Sequence, residues 1–254
     1  MVINMSVKIA VAGKGGTGKT TLSAIIIRSL IEENKKSVLA LDADPNSNLN
    51  ELLGVKVKST VGHIVEDFKK NGAIISSGLY KDQMVEMNLH QSVVEGRGYD
   101  LLVMGRGEGP GCYCAANNLF KKYIDMLQDS YDFVVMDNEA GLEHLSRKTT
   151  NNVDIMLIIS DPSARGILSA SRINTLIDEL KIKVKKTFLI INRLNGPADE
   201  RLLKIVKDRG FEGFLTVDND LQINNTELNG ESIFSLPESS KSITQVKKIL
   251  LKIL

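Results

Sequence analysis

The chain has 254 residues, of which 43% are hydrophobic and 25% are charged, and its formal net charge is +1. These values are typical of a globular protein with a substantial buried core, and the small net charge gives no sign of nucleic acid or an anionic membrane as a partner. No apolar run reaches the roughly 18 residues of a membrane-spanning helix, and the amino terminus lacks a secretory signal pattern, so we expect a cytoplasmic protein.

Short apolar strands alternate with longer helices along the predicted chain. The strands are predicted at Val7–Ala12, Ser37–Leu41, Leu101–Met104, Asp132–Met136, Ile155–Ser160, Lys185–Ile191 and Phe214–Val217. The helices are predicted at Lys19–Glu32, Asn117–Gln128, Ser163–Leu180, Asp199–Asp208 and Ser240–Leu254. This alternation predicts an α/β fold, with a mostly parallel central sheet flanked by helices on both faces, in a single domain over residues 1–254. The stretch Gly54–Tyr99 has a mixed pattern with several glycines, which suggests an insertion or a mobile region.

The run GKGGTGKT follows the first predicted strand and opens the first predicted helix. It fits the pattern G-x-x-x-x-G-K-[ST] and comprises Gly13, Lys14, Gly15, Gly16, Thr17, Gly18, Lys19 and Thr20. Glycines let consecutive backbone N–H groups face an anion, and the helix that follows adds the positive end of its dipole. We therefore predict a P-loop NTPase that binds ATP or ADP, with Lys19 on the β- and γ-phosphates and Thr20 on Mg²⁺. Thr21 is assigned to the same nucleotide site.

Acidic residues follow two other predicted strands. Asp42 and Asp44 come directly after the second strand, in LDADP, and Asp137 follows the strand FVVM. The carboxyl ends of parallel strands form the ligand-binding edge of such a sheet, so these side chains are expected beside the nucleotide. The alternatives are helix N-capping or a turn formed by Asp44-Pro45 and Asn46, and an acidic strand-end turn at Asp137.

Both cysteines of the chain stand one residue apart, at Cys112 and Cys114, behind the glycine-rich run Gly105–Gly111. This spacing strains the geometry of a disulfide between them. Burial as small core residues is one interpretation, but the surrounding Gly-Pro-Gly is typical of a loop. Closely spaced cysteines in a reducing compartment more often bind metal or do redox work.

Two thiolates supply only half of the four donors that Zn²⁺, or Ni²⁺ in square-planar form, requires. The three histidines, His63, His90 and His144, are scattered without metal-ligand spacing. A two-fold dimer that brings two Cys-x-Cys loops together would complete a four-cysteine site. We therefore predict a Ni²⁺ or Zn²⁺ site shared across a homodimer.

Four features together resemble the CooC-type nickel-insertion ATPases: GKGGTGKTT, DADP, the Cys-x-Cys behind a glycine-rich loop, and DNEAGLEHLSR. The CooC type matures carbon monoxide dehydrogenase, and a sister type, AcsF, serves acetyl-CoA synthase. Both are similar in fold to MinD-type ATPases and to the nitrogenase iron protein. The resemblance covers roughly Lys8 to Asn219 and is weak over 54–99.

The resemblance implies a role for each residue around the phosphates. Lys14 would cross a dimer interface to the partner's nucleotide, and Asp44 would position or activate the attacking water. Asp42 would support Asp44 or hold the water shell of the metal, while Asp137 would act on Mg²⁺ through water. Gly141 would place a backbone N–H near the γ-phosphate. The implied catalytic residues are Lys14, Lys19, Asp44 and Asp137.

The resemblance also implies a base-reading residue, Asn192, whose amide can accept from the exocyclic amine of adenine and donate to a ring nitrogen. Arg193, Val217 and Asp218 are assigned to the same nucleotide site. A proline-containing turn is usual in the family after the next strand, whereas this chain has Thr216–Asn219, which puts the outer wall of the base pocket in doubt. Asn192 as a plain turn residue is the alternative.

The implied partners are a second copy of the chain, with pairing that depends on nucleotide or metal, and carbon monoxide dehydrogenase or acetyl-CoA synthase as the client. No nucleic acid and no membrane are expected. One rival function is an electron-transfer ATPase whose dimer holds a [4Fe–4S] cluster. A second is a MinD-type positioning ATPase, which the amphipathic tail SITQVKKILLKIL would suit if it bound a membrane rather than packing on the domain.

Overall fold

The computed structural model describes residues 6–34, 36–71, 87–106, 121–122, 124–127, 130–140 and 152–254. These residues form one eight-stranded sheet in the order β3-β4-β2-β5-β1-β6-β7-β8. Its strands are β1 Val7–Gly13, β2 Val38–Asp42, β3 Val94–Glu95, β4 Tyr99–Val103, β5 Phe133–Asp137, β6 Asn152–Ser160, β7 Lys183–Leu194 and β8 Leu215–Asp218. All neighbouring pairs are parallel except β3 and β4, which are antiparallel.

Helices cover both faces of this sheet. They are α1 Lys19–Asn34, α2 Leu49–Leu53, α3 Val61–Asn71, α4 Ala164–Glu179, α5 Glu200–Asp208, α6 Leu221–Leu228 and α7 Lys241–Ile253, with a 3₁₀ turn at Ile233–Ser235. Residues 87–92, 121–122 and 124–127 are also helical. None of the helices in these described ranges is long and apolar enough to cross a bilayer.

The central strands are apolar because both of their faces are covered. Every residue of β2 and β5 is buried. Along β1 the side chains alternate between two cores: Ala10 and Ala12 face the core beneath α4, whereas Ile9 and Val11 face the core beneath α1. This period of two is the geometry of a strand between two helical layers.

Helix α1 is apolar around most of its circumference because it lies between the sheet and a further layer. Its residues from Leu22 to Leu30 are all buried. The outer layer is α7, whose buried side chains include Ile243, Val246 and Ile253. One face of the amphipathic tail therefore packs on the domain, as the packing interpretation expects.

The seven predicted strands and the parallel α/β architecture are confirmed, with β7 longer than predicted at both ends. Within 54–99, the described residues form α3, the helical residues 87–92 and the short strand β3, none of which was predicted. Helices α2 and α6 were also missed. Elements of two to eight residues contain too few positions to show a period, which is why the sequence pattern did not reveal most of them.

Candidate nucleotide site

The carboxyl ends of β1, β2 and β5 meet at one edge of the sheet and carry the predicted site. The phosphate loop, which we define as Gly13–Thr20, leaves the end of β1. Asp42 at the end of β2 is the register partner of Asp137 at the end of β5. Asp137 is in turn paired with Val11, two residues before the loop. The sheet order therefore places two acidic residues side by side, next to the phosphate loop.

Glycine is required at two positions of the phosphate loop. A side chain at Gly13 would overlap the Ile159 carbonyl oxygen of β6. Gly18 has φ +87°, a conformation that disfavours other residues, and a Cβ there would overlap the amide nitrogen of Asn192. The close approach of the neighbouring strands thus explains these two glycines of the motif.

The two lysines of the loop have different surroundings. Lys19 is 8% exposed, and its Nζ lies 3.4 Å from the Lys14 carbonyl oxygen. The Thr17 hydroxyl donates to the same oxygen at 2.9 Å. Lys14 itself is exposed. Lys19 is therefore held over the loop, whereas the side chain of Lys14 reaches solvent.

Asp137 is buried among polar groups of the first turns of α1. Its Oδ1 accepts a hydrogen bond from the Ser23 hydroxyl at 3.0 Å. Burial raises the pKa of Asp137 to about 6, although hydrogen bonds from Thr20 and Ser23 and the charge of Lys19 act in the opposite direction. The buried carboxylate and the threonine hydroxyl offer oxygen ligands that suit Mg²⁺, and the ammonium group beside them suits a phosphate.

Asp42 organises the segment that follows β2. Its Oδ1 accepts from the Asp44 backbone N–H at 3.1 Å, and its Oδ2 accepts from the Leu49 N–H at 3.0 Å, at the start of α2. Burial, followed by the charge of Asp137, raises the pKa of Asp42 to about 7. Both oxygens of the Asp42 carboxyl group thus accept from the backbone that follows β2, at Asp44 and at Leu49.

Asp44 is half-buried at the mouth of the site and forms the turn that was the alternative to its predicted role. Its Oδ1 accepts from the Asn46 N–H at 2.8 Å. The side-chain oxygen of Asn46 accepts from Arg106 Nη2 at 2.8 Å. Arg106 stands just beyond Met104, whose N–H donates to the Asp42 carbonyl oxygen at 2.8 Å. The first switch, which we define as residues 42–46, therefore contacts the chain leaving β4.

Asn192 and Arg193 hold the phosphate loop from the far side. The sheet register is irregular between Ile191 and Leu194, and Arg193 has φ +58°. This irregularity turns both side chains towards the loop: Asn192 Nδ2 donates to the Thr17 carbonyl oxygen at 2.9 Å, and Arg193 Nη1 donates to the Gly16 carbonyl oxygen at 3.1 Å. The base-reading role of Asn192 remains a prediction, and its observed contact is with the loop backbone.

A small cavity lies beside Asn192, in the place expected for the base. Its volume is about 20 Å³, enough for about one water molecule. Residues from four parts of the chain line it: Gly18, Thr21, Leu22, Asn192, Arg193, Asp218, Asn219, Asp220, Ile223, Asn224 and Ser242. Asp218 lines this cavity, and the side chain of Val217 is buried in the core beneath α1. The assignment of both residues to the nucleotide site stays a prediction.

Three predicted site residues, Gly141, Cys112 and Cys114, lie outside the described residues. Within the ranges that the structure does describe, no group of three or more His, Cys, Asp or Glu side chains is arranged to hold a metal ion. The shared metal site thus stays a prediction from the sequence.

The sequence did not single out three residues that belong to the site or contact it: Ser23, Arg106 and Glu227. Ser23 could have been predicted, because it lies three residues after Thr20 and so faces the same side of α1. Glu227 accepts a hydrogen bond from Thr21, which is 206 positions away in the chain. No local pattern could have revealed that contact.

Comparison with protein families gives one model that covers most of the chain: the AAA domain model matches residues 6–190. An uncharacterised ATP-binding protein of Methanocaldococcus jannaschii is 42% identical over 248 residues, which cover 97% of this chain and 98% of that protein. The carbon monoxide dehydrogenase accessory protein CooC of Rhodospirillum rubrum is 33% identical over 205 residues, which cover 76% of each chain.

Solved structures share the fold over nearly the whole chain. The septum site-determining protein MinD of Pyrococcus horikoshii, complexed with Mg-ADP, matches with a TM-score of 0.71 and 18% identity, over 98% of this chain and 96% of that one. A ParA family ATPase of Chlorobium tepidum matches with a TM-score of 0.73 and 17% identity, over 98% of both chains. At these identities the likeness concerns the fold.

Proposed function

Because the chain belongs to the AAA domain family and has the fold of MinD/ParA-like P-loop ATPases, we propose that it is an Mg²⁺-dependent ATPase that assists nickel insertion into a metalloenzyme. The client is carbon monoxide dehydrogenase or acetyl-CoA synthase, and the working form is a homodimer. Nickel, or zinc in its place, is the cargo rather than a resident cofactor.

One observation carries the nucleotide part of the proposal: Lys19 and Thr20 lie beside the buried carboxyl of Asp137, at the mouth of a glycine loop. Lys19 would neutralise phosphate charge and the backbone of the loop would bind phosphate oxygens. Thr20 and Asp137 would hold Mg²⁺, which when bound withdraws electron density from the phosphates. Asp44, which is half-buried after β2, would orient the attacking water molecule.

Two observations support the metal part. The chain is 33% identical to CooC over three quarters of its length. Both cysteines follow β4 within a few residues of Arg106, and Arg106 contacts Asn46 of the first switch. A change of the first switch on nucleotide hydrolysis would therefore act on the chain that leads to the thiols, which is how ATP turnover would alter metal access.

Lys14 supports the homodimer. The phosphate loop carries two lysines. Lys19 is buried, whereas the side chain of Lys14 is exposed at the edge of the loop. A lysine in this position is free to reach the nucleotide of a second copy. In the proposed dimer, the two Cys-x-Cys segments share one metal site.

The first test removes the phosphate-binding lysine. Lys19→Ala should lower ATP hydrolysis by at least about 100-fold, because a group that stabilises the charge of the transition state is lost. Lys204→Ala, which changes an exposed lysine of α5, is the matched control and should keep the activity of the unchanged protein. Phosphate release measured on all three proteins checks this, and hydrolysis retained in Lys19→Ala would reject the assignment of the loop.

The second test removes both thiols. The double variant Cys112→Ser, Cys114→Ser should lose nickel binding close to one ion per dimer while it still binds ATP, since the two sites use different side chains. Equilibrium dialysis with Ni²⁺, followed by metal quantification, measures this directly. Unchanged nickel binding would contradict the shared-thiolate site. Visible absorption after anaerobic purification would instead favour an iron–sulfur electron-transfer ATPase.

A MinD-type positioning ATPase is the second candidate, favoured by the fold match to MinD over 98% of the chain. If the carboxyl-terminal helix α7 anchored a positioning ATPase to a membrane, its apolar face would have to contact the lipid. That face of α7 is packed in the domain, where Ile243 and Ile253 are at most 1% exposed. Co-sedimentation with anionic liposomes in the presence of ATP separates the two candidates, because only the positioning ATPase should pellet.

A further inference from the structure

Helix α6, Leu221–Leu228, is loosely attached beside the cavity at Asn192. Thr226 is its only buried residue, and Ile223 is half-buried. Two large apolar side chains at its ends are exposed, Leu221 at 69% and Leu228 at 85%. A helix with so little buried apolar surface moves at a low cost in free energy. It is therefore the wall of the cavity that can most easily adjust to a ligand.

One side chain of α6 contacts the phosphate-binding motif. Glu227 Oε1 accepts a hydrogen bond from the Thr21 hydroxyl at 3.0 Å. Thr21 lies in the first turn of α1, next to the predicted Mg²⁺ ligand Thr20, and it lines the small cavity. Glu227 therefore contacts the residue that joins the phosphate loop to the cavity expected to hold the base.

The charge of Glu227 limits which part of a bound nucleotide it can contact. Beside a polyphosphate it would be repelled, since the two carry like charges. The sugar that joins the phosphates to the base carries neutral hydroxyl donors, which a carboxylate accepts well. Acidic side chains bind ribose hydroxyls in this way in other nucleotide-binding folds.

We propose that Glu227 recognises the sugar of the nucleotide: it accepts from Thr21 when the site is empty and from a ribose hydroxyl when ATP or ADP is bound. The Thr21 hydroxyl, once released, turns to the phosphates. The cavity of about 20 Å³ must widen for a base to enter, and a shift of α6 both widens it and carries Glu227 to the sugar. This inference rests on the proposed nucleotide binding.

The test compares the affinities of ADP, 2′-deoxyADP and 3′-deoxyADP by isothermal titration calorimetry with Mg²⁺ present. For the unchanged protein, at least one deoxy analogue should bind about 10-fold or more weakly than ADP, because a hydrogen bond to a charged group is lost. In Glu227→Ala, both analogues should bind within about threefold of ADP. Thermal unfolding of the variant checks that it is folded, which its exposed position leads us to expect.

Glu231→Ala is the matched control. Glu231 is also exposed, and its Oε2 accepts from the Ser235 hydroxyl at 3.1 Å, away from the cavity. This variant should discriminate between the sugars as the unchanged protein does. Equal affinity of the unchanged protein for all three nucleotides, or unaltered discrimination in Glu227→Ala, would overturn the inference and leave the proposed ATPase intact. Absence of any ADP and ATP binding would overturn both.

Discussion

Asp42 and Asp137 are two carboxyl groups that neighbouring strands bury side by side. Each is at most 1% exposed, and the sheet register makes them direct partners. Burial disfavours the charged form of each group, and the charge of Asp137 adds to this effect at Asp42. A bound cation would lower this cost, so the cost should be largest when Mg²⁺ is removed.

Stability of the metal-free protein should therefore fall as the pH rises. The pKa of Asp42 is raised from 3.8 to about 7, so the folded state holds a proton that the unfolded chain releases near pH 4. The stabilisation by this proton is complete below pH 3.8 and is lost as the pH passes through about 7. Between pH 5 and pH 8 we expect it to lower the free energy of unfolding by up to about 3 kcal/mol.

The variant Asp42→Asn isolates this contribution. It has no proton to release, so its free energy of unfolding should depend less on pH by the same amount. Urea unfolding of both proteins at pH 5 and pH 8, with EDTA present, measures the difference. Equal pH dependence in the two proteins would show that Asp42 ionises without the penalty that we infer from its burial.

Two helices of the base-side wall share one acidic cap. Asp220 Oδ1 accepts from the Gln222 N–H in the first turn of α6 at 3.0 Å. Its Oδ2 accepts from the Ser242 N–H at the start of α7 at 3.1 Å, and from the buried Ser240 hydroxyl at 2.6 Å. A single carboxylate thus links the start of a loosely packed helix to the start of a firmly packed one.

Loss of this shared cap should cost more than loss of a simple one. Asp220→Ala removes two helix caps and leaves the Ser240 hydroxyl buried without this acceptor, so we expect the free energy of unfolding to fall by about 2–4 kcal/mol. Asp199→Ala is the control, because Asp199 caps only α5, through the Leu202 N–H at 2.8 Å. It should cost about 1 kcal/mol.

Urea denaturation followed by circular dichroism gives both values. Equal losses in the two variants would mean that the contact between α6 and α7 through Asp220 contributes nothing beyond an ordinary cap. A larger loss for Asp220→Ala would support the view that the start of α7 anchors the movable helix α6.

The proposed cycle needs nucleotide and metal to influence each other through the domain. A short chain of hydrogen bonds leads from the nucleotide site towards the cysteine segment. The Asp44 carboxylate accepts from the Asn46 backbone N–H, and the Asn46 side-chain oxygen accepts from Arg106, which precedes the cysteines in the chain. Coupling of this kind is reciprocal, so nickel must change ATP affinity by the factor by which ATP changes nickel affinity. Typical factors are roughly 5 to 150.

Arg106→Ala should uncouple the two ligands. Without the guanidinium on Asn46, the effect of nickel on ATP affinity should fall towards no change, while each ligand alone binds within about twofold of the unchanged protein. Arg172→Ala, an exposed arginine of α4, is the control and should leave the coupling as it was. Calorimetric titrations of ATP with and without Ni²⁺ measure it, and coupling that persists in Arg106→Ala would exclude this contact as the route.

The fold was largely predictable because its signals are local. Continuous apolar runs such as FVVM indicate strands with two covered faces, and β5 is buried throughout. The helix after the phosphate loop was likewise evident, because apolar residues recur from Leu22 to Leu30 directly after the motif. The two-residue strand β3 and the short helix α2 could not be predicted, since neither is long enough to show a period.

The amino-acid sequence by itself determined the phosphate loop, because glycine spacing, the lysine and the strand–helix context are all contained within a few residues. It also determined that acidic residues end two strands. Only the tertiary structure decided that Asp42 and Asp137 are neighbours, that Asn192 supports the loop, and that Glu227 meets Thr21. These contacts depend on the order of strands in the sheet and on the packing of distant helices, and such an order leaves no trace in local periodicity.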